Sequence, residues 1–165
     1  HPNVASRVKN LGLVRQDVGD LSDAKGAFER ALKIDEKAFG LDHPNMAIRV
    51  SNLGQVLRGL GDLSGAKGAY ERALKIDEKA FGPDHPDVAR DVNNLGRVLQ
   101  DLGDLSGAKE AFERALGIVT KFLGDEHPST RLVKGNLERL NELIAGTSTT
   151  RTKKFPRGRP GTDSH

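Results

Sequence analysis

The stretch GDLSGAKGAYERALKIDEKAFGPDHP, from Gly61 to Pro86, appears almost unchanged 42 residues earlier, from Gly19 to Pro44, and loosely again from Gly103 to Pro128. His-Pro marks the same period at His1, His43, His85 and His127, and Asn-Leu keeps step at Asn10, Asn52, Asn94 and Asn136. Between 19 and 40 the first copy differs from the second only in Asp23 against Gly65 and Phe28 against Tyr70. A fixed period between about 20 and 50 residues implies a unit that buries its apolar face against its neighbours, stacked as a solenoid. Catalysis needs one set of residues placed once, so repetition assigns function to the surface the stack presents.

Each unit reads as two helices. The first opens at His-Pro, with Pro2, Pro44 and Pro86 at the first helical position, where a missing N–H costs nothing. In the second unit Val50, Leu53, Val56, Leu57 and Leu60 follow at helical spacing. Gly61 ends that helix, Asp62 is placed to cap the next, and Leu63, Ala66, Ala69, Tyr70, Ala73, Leu74 and Ile76 line it until Gly82-Pro83. Gly54, Ala66 and Ala73 are small where helices must cross closely. The chain of 165 residues is 36% hydrophobic and only 4% aromatic, which suits helical repeats packed by Ala and Leu.

The spacing Leu53-Gly54, Leu57, Gly61-Asp62, Ala66, Tyr70, Ala73 resembles the tetratricopeptide repeat signature. Leu11, Gly12, Gly19, Ala24, Phe28 and Ala31 repeat it, as do Leu95, Gly96, Leu99, Gly103, Ala108, Phe112 and Ala115. The family's usual unit is 34 residues long and closes with proline. Here Glu36, Asp77-Glu78 and Thr120 stand at that place, and the linker FGPDHPDVA completes 42. This longer form is similar to the repeats of kinesin light chains and of bacterial and archaeal sensor proteins, some STAND-type NTPases among them. The resemblance implies an all-α, right-handed superhelical solenoid of antiparallel helix pairs. The expected units are 1–42, 43–84 and 85–126, with a capping helix at 127–145 built on Leu132, Val133, Leu137, Leu140 and Ile144. Two departures stand out: Arg15 replaces the apolar Leu57 and Leu99, and Glu138 replaces the glycine of the other units. The start at His1-Pro2 without Met reads as a piece of something longer.

The four histidines sit one per unit, too far apart for a zinc ion that needs three or four ligands at about 2 Å; they are expected as N-caps. GDLSGAKG lacks the Gly-Lys-Ser/Thr ending and preceding strand of a phosphate loop. No nucleophile elbow and no His-Glu-x-x-His occurs. The chain is therefore read as a non-enzyme without cofactor or metal.

In tetratricopeptide arrays the first helices line a concave groove, and the residue before the signature Leu faces it. The resemblance thus points to Asn10, Asn52, Asn94 and Asn136, whose amides offer both donor and acceptor to an extended peptide backbone. The same face carries Gln55 and Arg58 in the second unit, Arg90, Asn93 and Arg97 in the third, and Arg139 in the fourth. A polar helix face is by default a solvated surface. Against that stands the Asn in all four units, the divergent last one included. Matching Asn and basic positions in the family clamp acidic or carboxylate ligands, so the expected partner is an acidic protein segment, and the function that of a protein–protein interaction scaffold. The full clamp is not reproduced, since the first unit offers Leu13 and Gln16.

Residues 146–165 are a basic tail, expected to be disordered, with Arg151, Lys153, Lys154, Arg157 and Arg159 against Asp163. The remainder holds 21 basic and 22 acidic residues, so the net charge of +3 belongs to the tail. Pro156-Arg157-Gly158-Arg159-Pro160 resembles an AT-hook core, whose arginines suit the narrow minor groove. Gly161-Thr162-Asp163 replaces the basic residues that usually follow. Nucleic-acid binding through this tail, with the solenoid as spacer or self-association surface, is the alternative function. There is no cysteine, no run of about 18 apolar residues and no signal-peptide pattern. A cytoplasmic protein without membrane contact is expected.

Overall fold

The computed structural model describes residues 17–152 as six helices: α1 (Asp17–Phe39), α2 (Pro44–Gly59), α3 (Leu63–Phe81), α4 (Pro86–Asp101), α5 (Leu105–Leu123) and α6 (Pro128–Thr152). Each packs against its neighbours in sequence, and no strand occurs among the described residues. The first helix expected in unit one, with Asn10 and Arg15, and the tail beyond Thr152 lie outside the described residues.

The helix ends follow from local chemistry. His43 and His85 cap α2 and α4, their Nδ1 atoms accepting the backbone N–H of Asn45 at 3.2 Å and Asp87 at 3.1 Å, and His127 does the same for Ser129 at 3.1 Å. Each imidazole is thus used as a cap. At the other end of α2 the N–H of Gly61 bonds the carbonyl of Arg58 and that of Asp62 bonds the carbonyl of Leu57. This is a Schellman stop, and it needs the left-handed φ of 80° that glycine adopts freely. Asp62 then turns its carboxylate to the N–H of Gly65 at 3.0 Å, and Asp104 treats Gly107 alike.

α1 departs from this plan. It runs unbroken through Gly19 and Asp20, where the resemblance places a turn. The later units place Gly65 and Gly107 against the capping carboxylates of Asp62 and Asp104, where the first unit has Asp23. α1 also leaves Ile34 66% exposed, whereas its counterparts Ile76 and Ile118 are 3% and 5% exposed.

Between the pairs the core is continuous. Leu32, Met46, Ala47, Val50, Ala73 and Ile76 join α1, α2 and α3, while Val88, Ala89, Val92, Ala115, Ile118, Val119 and Val133 join α4, α5 and α6. On the second helices, Arg72 reaches Glu36 and Arg114 reaches Glu78, both at 2.6 Å, an ion pair repeated at the period of the chain. α6 extends past the boundary expected at 145. Leu140, fully buried against Ala108 and Phe112, anchors it, with Leu137 and Ile144 alongside. The Thr147 hydroxyl donates to the carbonyl of Ile144 at 2.8 Å, within a helix that runs through the predicted start of the tail.

Candidate functional site: a polar groove on the first helices

Arg90, Asn93, Asn94 and Arg97 stand at i, i+3, i+4 and i+7 of α4, a spacing that puts them on one helical face. Asn52 and Gln55 on α2 flank them, and together they line an open cleft of about 490 Å³ with Ile48, Ser51, Leu132 and Val133. A second cleft of about 360 Å³ is lined by Gln55, Arg58, Tyr70, Arg97 and Asp101. A third of about 220 Å³ takes in Arg58, Arg97, Asn136 and Arg139. Arg97 lines all three. Every candidate residue among the described ones thus borders this chain of clefts along α2, α4 and α6.

The amides are not equivalent. Asn93 and Asn94 are 6% and 8% exposed, whereas Asn52 and Asn136 are half-buried. Nδ2 of Asn136 donates to Oδ1 of Asn93 at 2.9 Å, and Arg139 donates to Oδ1 of Asn136 at 2.6 Å, so α4 and α6 share a short polar chain. Tyr70, buried beneath the second cleft, has its hydroxyl pKa raised by that burial and presents a neutral phenol there.

The cations differ more. Arg58 is bound by the Asp101 carboxylate, whose hydrogen bond holds the guanidinium firmly charged. Arg90 donates to Asp77 at 3.1 Å and lies 3.4 Å from Asp87 and 3.5 Å from Asp91. Arg97 has no ion-pair partner among the described residues, and Arg139 is met only by the amide of Asn136. Arg97 and Arg139 therefore supply the unbalanced positive charge of the groove.

Sequence reasoning missed these acidic partners and the apolar wall of Ile48 and Leu132, which are 51% and 58% exposed. Asp77 belongs to a second helix, and only the packing of one unit on the next brings it to Arg90. Positions 42 apart do not mark it: Asp77 and Asp91 correspond to Asp35 and Arg49, an ion pair across the first junction, while Arg90 corresponds to Ile48. Among the described residues no group of three or more His, Asp or Glu could hold a metal ion, and no helix is long and apolar enough to cross a membrane.

The sequence model described as Tetratricopeptide repeat matches residues 4–79 and 50–121. The chain belongs to the tetratricopeptide repeat family. Its repeats are those of a protein–protein interaction scaffold. Among solved structures it is similar to the Podosopora anserina putative kinesin light chain nearly identical TPR-like repeats. That match has a TM-score of 0.65 at 22% identity, covering 97% of this chain and 81% of that one. A singly substituted form of those repeats gives 0.64 at 22%, covering 94% and 79%. BtubC (BKLC) from P. vanneervenii gives 0.62 at 23%, covering 89% of this chain and 64% of that one. At such identities the likeness is one of fold. No curated protein sequence matches the chain.

Proposed function

We propose that this tetratricopeptide array binds an extended, acidic protein segment along the face of α2, α4 and α6. The observation that carries the proposal is Arg97, an exposed and unpaired arginine common to three adjoining clefts and flanked by Asn94. A carboxylate there meets a charge that no protein group already neutralises, and charge-assisted hydrogen bonds are about twice as strong as neutral ones. Arg139 offers a second such point, Asn52, Asn94 and Asn136 address the peptide backbone, and Gln55 and Asn93 border the path. Arg58 and Arg90, held by carboxylates, orient more than they attract. Asn10 belongs to the same reading by its register.

The test is binding of a mixed peptide library to the full chain, with Asn94→Ala/Arg97→Ala as the control. Acidic peptides should be enriched. The double variant should weaken them at least tenfold, since a hydrogen bond to a charged group is worth about 1.5–3 kcal/mol. Deletion of 153–165 should leave binding intact. No enrichment over the double variant overturns the reading. Binding that follows the tail, and falls steeply with salt on a DNA probe, would establish the nucleic-acid alternative instead. The mass is followed at rising concentration in the same series, because the exposed Ile34 on α1 would give self-association an apolar contact.

A further inference from the structure

The joint between the second and third helix pairs is built on two acids. Asp77 on α3 is 2% exposed and Asp91 on α4 is fully buried, and the two carboxyl groups converge on one nitrogen of Arg90, at 3.1 and 3.5 Å. Their one cationic bonding partner is Arg90, whose single charge balances one carboxylate, and it donates to Asp77 at the shorter distance. Oδ2 of Asp91 is buried without a hydrogen-bond partner among the described residues. As an anion, that oxygen would leave a lone pair and a charge stranded, which is costly in a dry interior. As a hydroxyl it has Asp77 to donate to.

We propose that this joint is a proton-binding site: Asp91 keeps its proton in the folded protein at neutral pH and shares it with ionised Asp77, while Arg90 balances the pair. The proposal concerns the array itself and stands apart from the groove's ligand. Burial, then the contact with Asp77, pushes the Asp91 carboxyl up to about 8 against the pull of Arg90. Burial also raises Asp77, opposed by the bond from Asp91 and by Arg90. The other titratable groups facing the pair are Asp87, which raises Asp77, His85, which lowers it, and Tyr70, whose own hydroxyl Asp91 helps to keep neutral.

The neighbouring joints solve the same position differently. Asp35 meets Arg49 as an ion pair at the first, and Val119 and Val133 share an apolar core at the third. Only the middle joint sets acid against acid, an arrangement in which two like charges cannot both ionise cheaply.

The sign follows from linkage. A carboxyl titrating near 8 when folded and near 4 when unfolded binds its proton more tightly in the folded state. The contribution of Asp91 to stability is therefore fully present below about pH 4, declines as pH rises to about 8, and then levels off. The experiment is carbon-13 NMR of the aspartate carboxyls in the full chain from pH 4 to 10, paired with Tm against pH for the wild type and Asp91→Asn. Asparagine keeps a donor to Asp77 and an acceptor for Arg90 but cannot titrate. We expect Asp91 to titrate near 8, the wild-type Tm to fall from pH 5 to 8, and Asp91→Asn to fall less and to melt higher at pH 8. An Asp91 carbon titrating near 4, or parallel Tm profiles for both proteins, overturns the proposal. Should Asp91→Asn fail to fold, the wild-type titration decides alone.

Discussion

A Cβ on Gly96 would lie 2.8 Å from Cε1 of Phe112, a ring with no exposed surface and nowhere to turn. Gly54 stands in the same relation to Tyr70 at 3.0 Å. The small residue of the repeat signature is thus the floor on which the aromatic of the second helix lies. Gly96→Ala should destabilise by about 1–3 kcal/mol, the range for overpacking a filled core, and chemical denaturation measures it through a lower midpoint at unchanged m. Gly68→Ala, at an exposed helical position with nothing within 4 Å, should instead stabilise slightly. The glycine's spacing was legible in the sequence because both copies carry it in register. The pairing of Arg90 was not, since the carboxylates around it come from two helices and nothing local marks which of them meet.

At the scale of the element, the breakers were the readable part. Gly61, Gly82 and Gly103 end helices with positive φ, and proline opens α2, α4 and α6, so these boundaries follow from backbone chemistry alone. Two helix ends differ from the sequence reading. α1 runs on through Gly19 and Asp20 in the unit that has Asp23 where the others have glycine. α6 continues past Gly146 because the buried Leu140 and half-buried Ile144 hold its preceding turns on α5. Leu140→Ala should cost about 2–5 kcal/mol, the cost of emptying a filled site. Its mark is specific: in hydrogen exchange, α6 and the facing side of α5 should lose protection before α2 and α3 do.

At the scale of the whole molecule, each helix packs mainly on its chain neighbours and reaches one helix further through side chains such as Arg72 to Glu36, so stability sums over units and joints. The candidate groove is a product of that scale. Asn52, Asn94 and Asn136 are 42 residues apart and meet one surface only because three first helices align. The sequence carried their spacing faithfully. It could not carry the acidic company that cancels Arg58 and Arg90 while leaving Arg97 and Arg139 bare, because that depends on the angle between units.

The same two positions hold an ion pair at the first joint, two acids at the second and two valines at the third. An array assembled from near-identical pieces is therefore joined by unlike chemistry. Added salt screens exposed charges over a few ångströms and should slacken the first joint, where the Arg49 side chain is 46% exposed. Alkali should slacken the second, and neither should disturb the third. Hydrogen exchange resolved helix by helix would read the difference, with α1 loosening from α2 in salt and α3 from α4 at high pH. Without any change of sequence, the surrounding medium would then choose where the array loosens.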